Sequence, residues 1–175
     1  MAQLEILEYP DKNLKKKSKA VRSVDRSLRA LIKNMAETMY AAPGIGLAAP
    51  QVGKLVRLVI ADVGEGLVAI VNPKITARSG DQTYMEGCLS VPGLEAPVKR
   101  AEKITVKGID KTGKALELEA EGLLSTVLQH EIDHLDGKLF IDRVSDPSLI
   151  RPITKPEAAE RDKVCLEGKI EECMM

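Results

Sequence analysis

The chain has 175 residues, and 26 Lys and Arg balance 26 Asp and Glu, so its formal net charge at pH 7 is zero. Hydrophobic residues make up 44% and charged residues 30%, an ordinary globular balance that excludes disordered, collagen-like and coiled-coil chains. A neutral chain does not hold polyanions by bulk charge, and three Tyr, one Phe and no Trp leave almost no stacking platform for single-stranded nucleic acid, so no nucleic-acid site is expected.

In chain order, Lys15, Lys16, Lys17 and Lys19 form a local basic cluster that reads as a solvated face. The first helix follows Ser23-Val24-Asp25, where either polar residue can serve as N-cap. Leu28, Leu31, Ile32, Met35 and Met39 then make one apolar stripe at helical period. Pro43 and Gly44 end it, because proline disfavours helix in the residue before it. Residues 55–60 and 67–71 read as strands flanking a Gly64-Glu65-Gly66 turn. Pro73 is expected to interrupt the second strand, with a short piece resuming at 74–78. Residues 103–109 and the alternation around Leu116 and Leu118 predict a hairpin across the turn at 110–113. A second helix is predicted over about 121–136, with Gly137 as its C′ residue, and residues 161–172 read as a last helix. Strands followed by a helix, without regular βαβ alternation, predict an α+β fold.

The cysteines are Cys88, Cys165 and Cys173, an odd number with no C-x-x-C pair, which fits a reducing compartment. The start, Met1 to Glu5, lacks the basic and apolar regions of a secretory signal, and no stretch reaches the length of a membrane span. A cytoplasmic location is therefore expected.

The segment His130-Glu131-Ile132-Asp133-His134 carries the chemistry. On a helix, residues four apart share a face, so two imidazoles can reach one cation. Glu131 is placed to act as a general base toward water activated by that cation. A catalytic site of this kind needs a third protein ligand and an open position. His130 and His134 are the only histidines, which excludes a third imidazole. Two candidates remain from the residues alone. One is Cys88 in Glu86-Gly87-Cys88-Leu89-Ser90; the other is a downstream carboxylate, Glu157 or Glu160. Glu157 as third ligand would make the chain a small zinc peptidase. Gly44-Ile45-Gly46-Leu47-Ala48-Ala49-Pro50-Gln51 follows the first helix. It is neither a dinucleotide fingerprint nor a phosphate-binding loop, and by itself it reads as a glycine-rich turn. Gln51 has amide donors suited to an oxyanion.

Together these three segments resemble the motifs of the peptide deformylase family, in that family's order and at its approximate separations, and Ile6-Leu7-Glu8-Tyr9-Pro10 is similar to its N-terminal strand and turn. The resemblance covers residues 4–145 and implies one catalytic domain over 1–175, with a tail at 146–175. It implies antiparallel or mixed β-sheets packed around a central metal-binding helix. It also implies a metal-dependent hydrolase that removes the formyl group from the N-terminal formylmethionine of nascent polypeptides and releases formate. By this resemblance Cys88, His130 and His134 hold one divalent ion, Fe2+ in most members, with Zn2+, Ni2+ or Co2+ also accepted. Glu131 matches the catalytic glutamate. Gln51 and the backbone N–H of Leu89 match the groups that hold the formyl oxygen. Gly46 matches the backbone contact to the peptide, Ile45 the pocket entrance, and Leu123, Thr126 and Val127 the methionine pocket. Glu86 and Arg100 would pair to hold the Cys88 loop. The implied enzyme is a monomer, with room for a transient ribosome contact that the mixed charge of the tail from Arg161 does not favour.

Overall fold

The computed structural model describes residues 3–153. The expected helix at 161–172, and Glu157, Glu160, Cys165 and Cys173, lie outside the described residues. Helix α1 spans Arg26–Ala41, and Asp25 caps it by accepting from Leu28 N–H at 2.8 Å. Strands β1 (Gly46–Ala48), β2 (Leu58–Ala61), β3 (Val68–Ser79), β6 (Lys103–Ile109) and β7 (Ala115–Glu121) form a five-stranded antiparallel sheet in the order β1-β2-β3-β6-β7. Strands β4 (Gln82–Cys88), β5 (Val91–Arg100) and β8 (Arg151–Pro152) form a second antiparallel sheet in the order β4-β5-β8. Helix α2, Gly122–Leu135, follows β7 directly.

Strand β2 explains the layering. All four of its residues are buried. Leu58 and Ile60 pack with Leu28, Ile32, Met35 and Met39 of α1, while Val59 and Ala61 pack with Val127, Leu128, Ile132 and Leu135 of α2. Successive strand residues point to opposite faces, so a strand covered on both sides reads as a continuous apolar run. Each large side chain buried this way contributes about 1.5–3 kcal/mol. The far side of α2 is covered by the second sheet, and every residue from Ser125 to Leu135 is buried. The expected α+β fold, with a central helix between antiparallel sheets, is the one observed.

Two elements differ from the sequence pattern. Pro73 does not end its strand; β3 runs through it, with register shifts against β6 between Val71 and Lys74 and again between Ile75 and Ala77. Proline is accommodated at such irregularities because the ladder there needs no N–H. Beside it, Asn72 sits at φ 53 and exchanges two hydrogen bonds with the Val21 backbone, each 2.8 Å. The second difference is the β4–β5 hairpin, which apolar alternation does not announce. Its buried positions include Glu86, Glu95 and Arg100. Glu95 is paired by Arg151 of β8 at 2.7 Å, so the start of the 146–175 tail is tied into the second sheet.

Candidate metal centre and active site

Three segments distant in the chain meet at α2. A bulge between Gly87 and Cys88 ends the regular β4–β5 register, where Gly87 faces Glu95 but Cys88 faces Val91. Bulges re-aim side chains, and Cys88 Sγ comes to 3.3 Å from His134 Nε2. His134 Nε2 lies 3.2 Å from His130 Nε2. The three ligand atoms all lie within 4.8 Å of one another, and all three residues are buried. Tetrahedral bonds of about 2.0–2.1 Å to nitrogen and about 2.3 Å to sulfur would place such atoms about 3.3–3.6 Å apart. The donor set therefore fits one divalent ion.

The two rings differ electrostatically. His130 Nδ1 lies 2.9 Å from Glu86 Oε2, and although burial opposes charge there, Cys88 and Glu86 hold this ring well above the usual imidazole range; an ion held at Nε2 would replace the proton there and leave the Nδ1 proton on the carboxylate. Burial, with His130 and Arg100 nearby, holds His134 well below the usual imidazole range, so that ring is neutral, the form that ligates. Burial opposes charge on Glu86, yet Arg100 and His130 hold its carboxyl below the ordinary range. Arg100 grips it with two bonds of 2.7 and 2.8 Å, which is the expected Glu86–Arg100 pair. The Glu86–His130 contact was not read from the sequence. No simple alternation signals it, because the bulge between Gly87 and Cys88 interrupts the strand's period.

Buried polar atoms normally find partners, and most of α2 follows this rule. Ser125 donates to Ala101 C=O at 2.9 Å, Gln129 donates to the same oxygen at 2.9 Å, and Gln82 donates to Thr126 Oγ1 at 2.9 Å. Among the described residues the exceptions are Ser18 Oγ, Glu131 Oε2 and His134 Nδ1. Two of these three belong to the histidine motif. Burial pushes the Glu131 carboxyl up to about 7, near the pH at which a general base is most effective.

Gln51 sits in a 3-10 turn, Ala49–Val52, and is buried. Its Oε1 accepts from Ala48 N–H at 2.8 Å, so its Nε2 points the other way, 3.6 Å from Cys88 Sγ and 3.2 Å from Ser90 Oγ. The N-terminal segment ties both motifs together: Leu7 N–H donates to Gln51 C=O and Tyr9 N–H to Ser90 C=O, each at 2.7 Å. Leu89 directly follows Cys88, and its side chain lies over Gly44, where an added Cβ would be 2.8 Å from Leu89 Cδ1. Gly46 faces α2 so closely that a Cβ there would overlap the Glu131 carboxylate and approach Val127 Cγ1 to 2.8 Å. Ile45 and Val127 are buried in one apolar cluster, with Leu123 packed against it and less covered. Thr126 is fully buried. The structure thus gathers Cys88, His130, His134, Glu131, Gln51 and Gly46 in one place.

A sequence profile described as polypeptide deformylase matches residues 3–149. The peptide deformylase of Thermodesulfovibrio yellowstonii is 52% identical over 150 residues, covering 83% of this chain and 91% of that one. The crystal structure of a peptide deformylase from Legionella pneumophila superposes with a TM-score of 0.80 at 50% identity, covering 82% of this chain and 87% of that one. A peptide deformylase from Synechococcus elongatus, solved in complex with actinonin, gives 0.80 at 40% identity, covering 83% and 85%. These likenesses extend over most of both chains and agree with the meeting of the three motifs around α2, and the chain belongs to the polypeptide deformylase family, metal-dependent hydrolases that remove the N-formyl group from nascent peptides.

Proposed function

We propose that Cys88, His130 and His134 hold a single divalent ion, and that Glu131, Gln51 and the Leu89 backbone act on the formyl group of an N-formylmethionyl peptide. When bound, such an ion supplies Lewis acidity, lowering the pKa of water from about 15.7 toward 7 and polarising the carbonyl. Fe2+ is the proposed resident, with Zn2+, Ni2+ and Co2+ able to replace it, because a thiolate with two imidazoles suits several borderline cations.

The residues' own tasks follow from their placement. Glu131 takes a proton from the attacking water through its unpaired Oε2. The water oxygen bonds to the formyl carbon, and negative charge develops on the formyl oxygen. Gln51 Nε2, held in orientation by the Ala48 N–H at its other end, donates to that oxygen together with Leu89 N–H. The C–N bond then breaks, Glu131 returns the proton to the departing amine, and formate leaves. The backbone at Gly46 packs directly against the Glu131 carboxylate and is proposed to contact the peptide backbone from its other side. Leu123, Thr126 and Val127, with Ile45, form the wall proposed to receive the methionine side chain. In this reading the enzyme works as a cytoplasmic monomer over one catalytic domain, with at most transient ribosome contact.

The observation that carries the proposal is the convergence of Cys88 Sγ and two Nε2 atoms beside an unpaired Glu131 oxygen. Anaerobic purification with metal analysis, followed by formate release from formyl-Met-Ala-Ser, tests it. One metal per chain is expected, lost in Cys88→Ala and kept in Glu131→Ala, which should not turn over. Full metal retention by Cys88→Ser would overturn the ligand set and favour the peptidase reading. Actinonin, bound in the S. elongatus relative, is expected to bind here in competition with the formylated peptide.

A further inference from the structure

We infer that Arg143 is a positioning residue for the metal ligand His130, acting through Asp133, Arg100 and Glu86. The inference rests on the proposal that His130 binds the ion. The five groups form one continuous relay. Arg143 grips Asp133 with bonds of 2.9 Å from Nε to Oδ2 and 2.5 Å from an η-nitrogen to Oδ1. Asp133 Oδ2 also receives an η-nitrogen of Arg100 at 2.6 Å. The remaining Arg100 nitrogens hold Glu86, whose Oε2 faces His130 Nδ1 at 2.9 Å. Charge alternates at each step from Arg143 to Glu86.

Arg143 is the outer end of this relay. Its side chain is 42% exposed, against 4% for Arg100 and 1% for Glu86. It lines an open polar cavity behind α2 together with Arg78, Lys99 and Lys138. Asp133 Oδ1 is held by Arg143, so removing Arg143 releases one oxygen of a carboxylate that is only 7% exposed. Asp133 would then turn toward the cavity or further onto Arg100. Either movement tilts the guanidinium fork that fixes Glu86, and with it the edge of the His130 ring.

A second contact points to the same residue. Arg143 ends the 3-10 turn Phe140–Arg143. Residues three apart on such a turn eclipse one another, and Phe140 stacks on the His130 ring with centroids 6.2 Å apart and planes 18° apart. One short turn therefore touches His130 on its face through Phe140 and steers its edge through Arg143.

Co2+ is the probe for the test. Its dissociation constant, by chelator competition, and its visible spectrum are measured for the wild-type chain, Arg143→Ala, Arg143→Lys and Lys15→Ala. The Lys15 variant removes the exposed ion pair to Asp142 on the same turn and controls for local loosening. Arg143→Ala should weaken Co2+ binding about 10- to 100-fold and alter the spectrum. Its metal-free melting temperature should fall further than that of Lys15→Ala, because a buried carboxylate loses a partner, and Arg143→Lys should recover part of the affinity. If the alanine variant does not fold, Arg143→Gln, which keeps the aliphatic stem, is read in its place. Wild-type affinity and spectrum in the Arg143 variant, or an equal loss in Lys15→Ala, overturn the inference alone. Wild-type Co2+ binding by Cys88→Ala brings down the metal site and this inference together.

Discussion

The two helices bury their residues for opposite reasons. Helix α1 sets one apolar stripe of Leu28, Ile32, Met35 and Met39 against the five-stranded sheet and leaves much of its other face to solvent. Its entry is capped locally by Asp25. Helix α2 has no side-chain cap and is buried on every side from Ser125 to Leu135, although that stretch contains seven polar or charged residues: Ser125, Thr126, Gln129, His130, Glu131, Asp133 and His134. Transfer of apolar area accounts for α1. On α2, each buried polar group needs a partner supplied by another element. Gln82, Glu86, Arg100, Ala101 and Arg143 supply most of them, and Glu131 Oε2 and His134 Nδ1 are the exceptions on this helix. The chemistry therefore depends on groups that helical periodicity does not connect.

Substitutions can break or sharpen this contrast, and the largest effect on turnover is expected on α2. Glu131→Gln should lower kcat by about 10²–10⁴ with metal content unchanged; a near-normal kcat would mean that the proton is handled elsewhere. Gln51→Ala should cost about 10²–10³ in kcat, measured as formate release at saturating peptide. Gly46→Ala places a methyl group against Glu131 and Val127, and displacing the carboxylate by about 1 Å should cost on the order of 10² in rate. Normal turnover in that variant would show that the β1 backbone can shift without disturbing the base.

Effects on α1 should appear in stability instead. Met35 is fully buried, and Met35→Ala should lower the unfolding free energy by about 2–5 kcal/mol, with turnover per folded molecule preserved; a selective loss of kcat would remove the distinction between the helices. The smallest change is expected from Lys33→Ala on the exposed face of α1. Denaturant unfolding should register no more than about 0.5 kcal/mol.

Both helices were legible in the sequence to within about one residue at their ends, because period 3.6, an Asp cap and Pro-Gly or Gly breakers act locally. The β6–β7 hairpin was legible for the same reason: alternation flanks a turn whose Asp110 side chain accepts from Thr112 and Lys114 N–H. Strand β3 was only half legible, because Pro73 reads as a stop unless the bulge beside it is known. The β4–β5 hairpin was illegible. Pro92, Gly93 and Pro97 break its pattern, and its inward positions hold charges whose partners lie on α2 and β8.

By itself, the sequence determined that His130 and His134 can share a cation, since four residues on a helix make one turn wherever that helix packs. It also determined the paired presence of Gln51 and Cys88 in motifs of a known kind. The resemblance pointed to Cys88 as third ligand and to the Glu86–Arg100 pair, but only the tertiary structure decided that Cys88 Sγ lies beside those imidazoles, that Glu86 faces one of them, and that Asp133 and Arg143 stand behind Arg100. Helical spacing is a property of the backbone over a few residues. The convergence of β4, α2 and the turn after it is a property of how two sheets close around one buried helix, where unpaired charge is too costly to leave and each ionised group must meet its complement across the fold.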